Sequence, residues 1–270
     1  MADLVTELAY RLPVLTIWQR PLLGEPLLDG LGDDWVATFQ SWVHNFKHAS
    51  GRSAEAGATI LAYVERVLDA RRADPADDIP STLLAAEVSG RPLTREEQLG
   101  YLFILFTAGV ETTAAALGSI FLFLARRPDI RDRLRAEPEL LDSAIEEMLR
   151  YLGPVQAERR TATRDAEVGG CPVRAGESVL LLWNAASRDE AEFPNGEEFV
   201  IDRFPNRHLQ FGLGPHRCLG SHLARVTMRA AIEEVLERIP DYRVRDGAEL
   251  RFSIGTNRSL RSLPVEFTPA

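Results

Sequence analysis

The stretch FGLGPHRCLG, residues 211–220, places one of the chain's two cysteines in a loop rich in glycine. Its three glycines permit backbone angles closed to other residues and allow a flat ligand to approach closely. Pro215 stiffens the chain ahead of Cys218, and an amphipathic pattern that predicts a helix follows at once. The first amides of that helix, with His216 and Arg217 nearby, favour an ionised sulfur. These residues predict a rigidly held thiolate that faces a ligand or a metal.

Four kinds of chemistry compete for such a loop. A phosphate cradle is weakly supported, because position 217, where a G-x-G-x-x-G motif needs its third glycine, is Arg217 and no Lys-Ser or Lys-Thr pair follows. Zinc could be bound by Cys218 with His208, His216 and His222, although no Cys-x-x-Cys pair accompanies them. A nucleophilic cysteine needs a base and an oxyanion hole, which a sequence does not show. The fourth possibility is a haem iron held by one thiolate.

The pattern F-G-x-G-x-H-x-C-x-G at residues 211–220 resembles the haem-binding loop of the cytochrome P-450 family. Residues 108–113 (AGVETT) resemble the family's oxygen-activation segment, and residues 147–150 (EMLR) resemble its E-x-x-R helix. RTATRDAEVGGCPVRAGESVLLL, HLQFG and SLPVEF resemble the bacterial soluble branch. The similarity covers nearly the whole chain, from about Asp3 onward.

The resemblance implies that the chain binds haem b and that Cys218 is the axial ligand of its iron. Phe211 would shield the sulfur side of the haem, and Gly212 and Gly220 would let the haem approach. Three further residues match family positions that hydrogen-bond the haem propionates: Arg160, His208 and His216. The alternative for Cys218 is a buried, inert cysteine.

On the opposite side of the haem, the resemblance assigns roles to the oxygen-activation segment. Ala108 and Gly109 are small and would leave room for O₂. Thr112 would supply a hydroxyl for oxygen activation, and Glu111 would deliver protons from solvent. In the alternative interpretation, the small pair merely eases packing and Thr112 bonds back to its own helix.

Glu147 and Arg150 could form an ordinary surface ion pair at i, i+3 spacing. The resemblance implies instead that they are buried and tie their helix to the turn-rich segment ahead of the cysteine loop. Arg203 is then the third member. These residues are expected to hold the fold and not to act in catalysis.

Periodicity along the chain predicts a mainly α protein with a minor β portion late in the sequence. Residues 2–17 predict a helix interrupted at Pro13, and Thr94 with Glu97 predicts a capping box that opens a helix through Ala125. AEVGGCPV predicts a hairpin, and SVLLLW predicts a strand. The resemblance implies one cytochrome P-450 domain over residues 1–270, without the N-terminal helices and first sheet strands.

The apolar stretch from Leu99 to Ala125 is long enough to cross a bilayer, but Glu111 lies near its midpoint. A buried core helix is therefore expected and not a membrane span. A net charge of −9 argues against non-specific binding of nucleic acid. Two cysteines are too few for a disulfide framework and suit a reducing compartment, so a cytoplasmic protein is expected.

The implied function is a haem-thiolate monooxygenase that inserts one oxygen atom from O₂ into a small apolar substrate. The sequence contains no flavin, nicotinamide or iron–sulfur motif, so electrons would come from a ferredoxin- or flavodoxin-type donor. A basic cluster could attract such a donor, or it could be an ordinary solvated face: Arg207, Arg217, Arg225 and Arg229. The alternative function is a non-catalytic remnant with weak or no haem binding.

Overall fold

The computed structural model describes residues 1–18, 22–24, 26–29, 31–48, 51–253 and 255–268. The chain divides into two compact units, Val5–Ala114 and a second that combines Met1–Leu4 with Ala115–Ala270. The expectation of a single domain stays a prediction. Each unit is built from its own elements and is described by itself.

The Val5–Ala114 unit is helical in its described part, with one short hairpin. A π-helical turn, Leu4–Ala9, leads into this unit, whose elements are α1 (Arg11–Ile17), α2 (Trp35–His48), α3 (Ser53–Ala73), α4 (Ile79–Ala85), β2 (Glu87–Val88), β3 (Arg91–Pro92) and α5 (Arg95–Gly109). The β2–β3 hairpin turns at Ser89 and Gly90, which both take positive φ values.

Aromatic side chains from four segments form the centre of this unit's core. The Phe39 ring lies 5.2 Å from that of Trp18, 5.0 Å from that of Tyr63 and 5.2 Å from that of Phe106. All four residues are buried. The apolar stripe of α2 therefore packs onto α3 and α5 through rings whose edge-to-face and stacked contacts add to the effect of burial.

The predicted capping box is confirmed. Thr94 accepts a hydrogen bond from the Glu97 N–H, and the Glu97 carboxylate accepts one from the Thr94 N–H. The helix that begins there is not continuous, because α5 ends at Gly109 and α6 (Glu111–Arg126) begins after Val110. Glycine has low helix propensity, and the Thr112 hydroxyl donates to the Ala108 carbonyl oxygen at 2.9 Å, a contact that bends helices.

Among the described residues, one helical segment, Arg95–Arg126, is long and apolar enough to cross a membrane. Inside the protein, 72% of its most apolar window is buried, as in the core helices of soluble proteins. This burial agrees with the expectation of a core helix.

The second unit carries the late helices and most of the strands. Its elements are β1 (Ala2–Asp3), the larger part of α6, α7 (Pro128–Ala136), α8 (Leu141–Leu152), β4 (Glu158–Thr161), β5 (Ala166–Val168), β6 (Cys171–Val173), β7 (Ser178–Leu181), α9 (Trp183–Ala186), α10 (Ser221–Arg238), β8 (Arg243–Val244), β9 (Phe252–Ser253), β10 (Ser259–Leu260) and β11 (Pro264–Glu266). Short 3₁₀ turns cover Pro138–Leu140 and Gly214–His216.

The strands pair in small antiparallel sheets. One three-stranded sheet has the order β1-β11-β8, and three pairs are formed by β4 with β7, β5 with β6 and β9 with β10. The predicted hairpin is confirmed as β5–β6, where Gly169 and Gly170 both take positive φ values. The SVLLLW strand is confirmed over Ser178–Leu181 as β7, whereas Trp183 begins α9.

The prediction of a helix beginning at residue 2 is wrong at its start. Ala2 pairs with Val265, and the Asp3 carboxylate accepts a hydrogen bond from the Leu263 N–H at 3.0 Å, so the first residues extend a sheet. Pro13 does not interrupt a helix either. It lies in the first turn of α1, where the missing N–H is tolerated.

A buried ion cluster connects α8 to the turn-rich segment 187–206. The Arg150 guanidinium donates to both carboxylate oxygens of Glu147, at 2.7 and 2.8 Å. It also donates to the carbonyl oxygens of Ser187, Gly196 and Glu198 at 2.7–2.8 Å. These contacts use every one of the five N–H groups that an arginine carries.

The Glu147 carboxylate also accepts several hydrogen bonds besides those from Arg150. Its other donors are Arg203 Nε at 3.1–3.2 Å, the Val200 N–H at 2.8 Å and the Asn206 amide at 3.1 Å. The side chains of Glu147 and Arg150 are fully buried. Helix α8 thus provides hydrogen-bond partners for three carbonyl groups and two side chains of the irregular segment. These bonds take the place of the regular backbone hydrogen bonds that the segment lacks.

We expect Arg150→Ala to lower the free energy of unfolding by about 3–5 kcal/mol, because it leaves the Glu147 carboxylate buried and without its partner. Arg133→Ala is the matched control, since it removes an exposed i, i+4 ion pair with Glu137 in the same unit and should cost below about 1 kcal/mol. Urea denaturation followed by circular dichroism measures both. Equal losses for the two variants would contradict a fold-holding role for the cluster.

Candidate functional site

The Cys218 loop is held by its own backbone. Gly212 and Gly214 take φ values of +65° and +71°, in the left-handed region that favours glycine. The Cys218 N–H donates to the Phe211 carbonyl oxygen at 2.8 Å, and the Arg217 N–H donates to that of Gly214 at 3.0 Å. The cysteine therefore lies in a closed loop immediately ahead of α10, where the dipole of the helix start favours negative charge.

The Cys218 loop is exposed and carries two large apolar side chains. Cys218 is exposed, and the neighbouring leucines Leu213 and Leu219 are 75% and 74% exposed. No atom lies within 4 Å of the position that a Cβ would take on Gly214 or Gly220. An exposed cysteine in a loop that also carries exposed leucines and bare glycine backbone offers a surface for a flat, apolar ligand.

Phe211 is held in place by the side chains of Arg225 and His208, and both of these are bonded to Glu146 of α8. The Arg225 guanidinium carbon lies 4.4 Å from the Phe211 ring centroid, and the His208 ring centroid lies 5.8 Å from it. Glu146 fixes both partners, since it accepts from Arg225 at 2.6 and 2.7 Å and from His208 Nε2 at 3.1 Å. Partial burial raises the pKa of Glu146, but the hydrogen bonds from Arg225 and His208 outweigh it and lower the pKa to about 2.

His208 is already engaged within the protein. Its Nδ1 accepts from the Gln210 N–H at 3.2 Å, so Nε2 carries the proton that it shares with Glu146. The side chain is only 3% exposed. A carboxylate ligand could bond to His208 only by displacing Glu146, and the expected propionate contact stays a prediction.

Arg160 and His216 are available to a ligand. Arg160 lies on β4, is partly exposed, and contacts the Glu158 carboxylate at 3.2 Å, while His216 is exposed in the 3₁₀ turn of the loop. Their roles as propionate donors also stay predictions.

The surroundings of Cys218 do not favour two of the alternatives. Over the described residues, no group of three metal-ligating side chains includes Cys218, and His208 of the conceivable zinc set is bonded to Glu146. Nor does any histidine or carboxylate in the described part of the chain hydrogen-bond to the Cys218 sulfur, as activation of a nucleophile would require.

The AGVETT segment lies in the Val5–Ala114 unit, at the junction of α5 and α6. A Cβ on Gly109 would approach Ile17 Cδ1 to 2.9 Å, so the small size of Gly109 serves helix packing. Ala108 is exposed. The Thr112 hydroxyl bonds back to Ala108, as the alternative interpretation supposed, although Thr112 keeps partial exposure.

Glu111 is buried, with its side chain 5% exposed. Its Oε1 is hydrogen-bonded to His48 Nε2, and Lys47 Nζ lies 3.5 Å from its Oε2. Both partners belong to the last turn of α2. The buried Glu111 carboxylate is thus in contact with two side chains that are partly exposed to solvent.

The sequence predicts that residues around Leu105, Val155, Gln156 and Ile254 to Thr256 line a substrate pocket, and the structure joins some of them. Val155 forms an isolated β-bridge with Asn257, and the Gln156 N–H donates to the Thr256 carbonyl oxygen at 2.8 Å. Leu105 lies in the other unit, and Ile254 lies outside the described residues.

The basic cluster is largely neutralised. Arg207 pairs with Glu192, Arg225 with Glu146, and Arg229 with Asp142 and Glu233. In the portion of the chain that the structure describes, Arg217 has no carboxylate within ion-pair distance.

Sequence reasoning missed Glu146 and Gln210. Glu146 precedes the E-x-x-R helix motif by one residue, but no pattern connects it to Arg225, which lies 79 positions away. Gln210 donates to the Asn184 side chain at 2.6 Å and fills the space beside Gly153, where a Cβ would overlap it.

Comparison with protein families gives a match to the model described as Cytochrome P-450, over residues 33–240. Among curated proteins, the chain is 37% identical over 257 residues to the mycinamicin IV hydroxylase/epoxidase of Micromonospora griseorubida. This alignment covers 94% of the chain and 64% of the relative. A steroid C26-monooxygenase of Mycobacterium tuberculosis is 38% identical, with 99% of the chain and 68% of the relative covered.

Comparison with solved structures also gives matches to cytochrome P-450 proteins. CYP109E1 from Bacillus megaterium, in complex with testosterone, superposes with a TM-score of 0.87 at 34% identity, covering 98% of this chain and 72% of that one. The cytochrome P-450 PksS of Bacillus subtilis 168 gives a TM-score of 0.87 at 32% identity, covering 99% and 69%.

The chain spans 64% of the length of the first of these curated relatives. The matched family model nevertheless covers most of the chain and includes both the Cys218 loop and the AGVETT segment. The mainly α fold expected from the sequence is confirmed by the superpositions. With this fold, this loop and these relatives, the chain belongs to the cytochrome P-450 family.

Proposed function

We propose that the chain binds haem through the Cys218 thiolate and acts as a monooxygenase on an apolar organic substrate. The observation that carries the proposal is the exposed Cys218, held in a glycine-rich loop at a helix start together with the exposed side chains of Leu213 and Leu219. Cytochrome P-450 members bind haem iron through a cysteine thiolate. When bound, a thiolate-ligated haem supplies the activation of O₂ for insertion of one oxygen atom.

The residues present fit such a group. A thiolate is the donor, and the glycines leave the backbone bare where a planar ring must approach. Leu213 and Leu219 would lose their contact with water against the ring. Phe211, fixed by Arg225 and His208, would keep the loop from collapsing toward α8.

On the oxygen side we assign proton delivery to Glu111 and hydroxyl donation to Thr112. Support comes from the burial of Glu111 and from its contacts to Lys47 and His48, which lead from the carboxylate to solvent. Thr112 would have to release its hydrogen bond to Ala108 in order to donate elsewhere. Ala108 is small and exposed and adds little bulk to the helix surface, whereas Gly109 packs against Ile17.

The proposed substrate class follows from the relatives. They include a mycinamicin IV hydroxylase/epoxidase and a steroid C26-monooxygenase, and a matching structure holds testosterone. We therefore propose an apolar organic molecule as substrate and place the protein in the cytoplasm, as is typical of soluble bacterial members.

We further propose a ferredoxin- or flavodoxin-type electron donor that docks on the face around the loop. Arg217 is the support for this step, because it extends from the cysteine loop without a carboxylate partner within the described residues. The other three arginines of the basic cluster contribute less, since each is already paired.

Cys218→Ala is expected to abolish the strongly red-shifted band in the reduced, carbon-monoxide difference spectrum of the purified chain with added haem. The reason is that no other residue of the loop offers sulfur to the iron. Cys171→Ala, at an exposed position on β6, is the matched control and should leave the band intact. Absence of the band in the unaltered chain would refute the enzyme and support the non-catalytic alternative.

Glu111→Gln is expected to slow oxygen consumption by about 10²-fold or more with a surrogate ferredoxin as donor, because the amide cannot pass on a proton. The carbon-monoxide band should be retained, which separates proton delivery from haem binding. Glu96→Gln, an exposed acid in the first turn of α5, should change neither quantity. An unchanged rate in Glu111→Gln would remove Glu111 from the mechanism.

Arg217→Gln is expected to slow reduction by an acidic donor at low ionic strength, and raising the salt should diminish the difference from wild type. Arg72→Gln, an exposed change on α3, serves as the control. Stopped-flow reduction under carbon monoxide gives the rate. If both variants match wild type at low salt, the donor does not dock through Arg217.

A further inference from the structure

Three side chains of the Val5–Ala114 unit come together outside the cysteine loop. His44 and His48 lie one turn apart on α2, with ring centroids separated by 5.1 Å, and Glu111 begins α6 beside them. Each offers one ligand atom, and the three atoms lie within 4.8 Å of one another. The i, i+4 spacing places both imidazoles on the same helix face.

We propose that His44, His48 and Glu111 bind a divalent transition-metal ion, with Zn²⁺ as the best match. Two imidazoles and one carboxylate form a donor set typical of zinc sites that keep an open position for water. Two histidines at i, i+4 on one helix are a recurrent way to present such ligands. Ligand atoms around tetrahedral zinc lie roughly 3.4 Å apart. Shifts of about 1 Å would bring the three atoms to this spacing, with the metal replacing the hydrogen bond between His48 and Glu111.

The Glu111 carboxylate gives an independent indication. The residue is buried, and its Oε2 has no hydrogen-bond partner. A buried charged oxygen without a donor costs free energy, which a cation at this position would recover. The two histidines are exposed at the protein surface, so an ion could reach the carboxylate through them.

Lys47 is the group that opposes metal binding. Its Nζ lies 3.5 Å from Glu111 Oε2, within ion-pair distance but beyond a made hydrogen bond. A metal ion would have to displace this ammonium into solvent, which its flexible stem allows. Removing the Lys47 charge should therefore strengthen metal binding, while removal of a ligand should weaken it.

The site does not depend on the proposed function. A bound ion would occupy the same carboxylate to which we assign proton delivery, so metal and proton transfer would compete for Glu111. The binding test below uses no turnover, and its failure would leave the monooxygenase proposal unchanged.

The test is titration of the purified full chain with Co²⁺, whose visible absorption reports its ligands, followed by competition with Zn²⁺. We expect one equivalent to give the spectrum of a nitrogen and oxygen site without a sulfur-to-metal band. His44→Ala and His48→Ala should each weaken binding at least about 10-fold. His222→Ala, an exposed histidine on α10, is the control and should bind as wild type does.

Lys47→Gln distinguishes a ligand site from a general effect of helix α2. Tighter Co²⁺ binding in this variant, with weaker binding in the two histidine variants, supports the site. Wild-type affinity in both His44→Ala and His48→Ala would overturn it, as would a spectrum with sulfur ligation that Cys218→Ala abolishes.

Discussion

The cysteine loop depends on the hydrogen bonds of the Arg150 guanidinium. All five of its N–H groups are bonded inside the protein. Residues 187–206 contain almost no regular structure, so their carbonyl oxygens need donors from elsewhere. Arg150 of α8 donates to three of these carbonyl oxygens, and Glu147 of the same helix accepts hydrogen bonds from the Val200 N–H and from the side chains of Arg203 and Asn206. Because the segment leads directly into the loop at 211–220, its fixed path determines where the loop begins.

Two adjacent acids of α8 serve different parts of this arrangement. Glu147 holds Arg150 and Arg203 beside the irregular segment, whereas Glu146 holds His208 and Arg225 beneath Phe211. Both carboxylates accept charge-assisted hydrogen bonds, which are shorter and stronger than neutral ones. Helix α8 thus positions both the segment that leads to the cysteine loop and the side chains that contact Phe211. Neither set of contacts uses Cys218, which is exposed.

Glu111 shows a different use of a buried acid. It begins α6, is screened from solvent, and contacts the last turn of α2 through Lys47 and His48. Those contacts are few, and one carboxylate oxygen lacks a hydrogen bond. A carboxylate with unused acceptor capacity near the surface can exchange partners, whether protons or cations, which the saturated Glu147 cannot do at comparable cost.

The sequence by itself determined the family, the mainly α character, the capping box at Thr94 and the glycine hairpin of β5–β6, because each depends on residue types at short spacing. It also singled out Cys218, whose loop is closed by local hydrogen bonds. Tertiary structure alone decided that Glu146 contacts Arg225, that Gly109 packs on Ile17, and that His44 and His48 approach Glu111. These pairs are separated by tens of residues, and no local pattern encodes which distant side chains meet; that is set by the packing of whole helices.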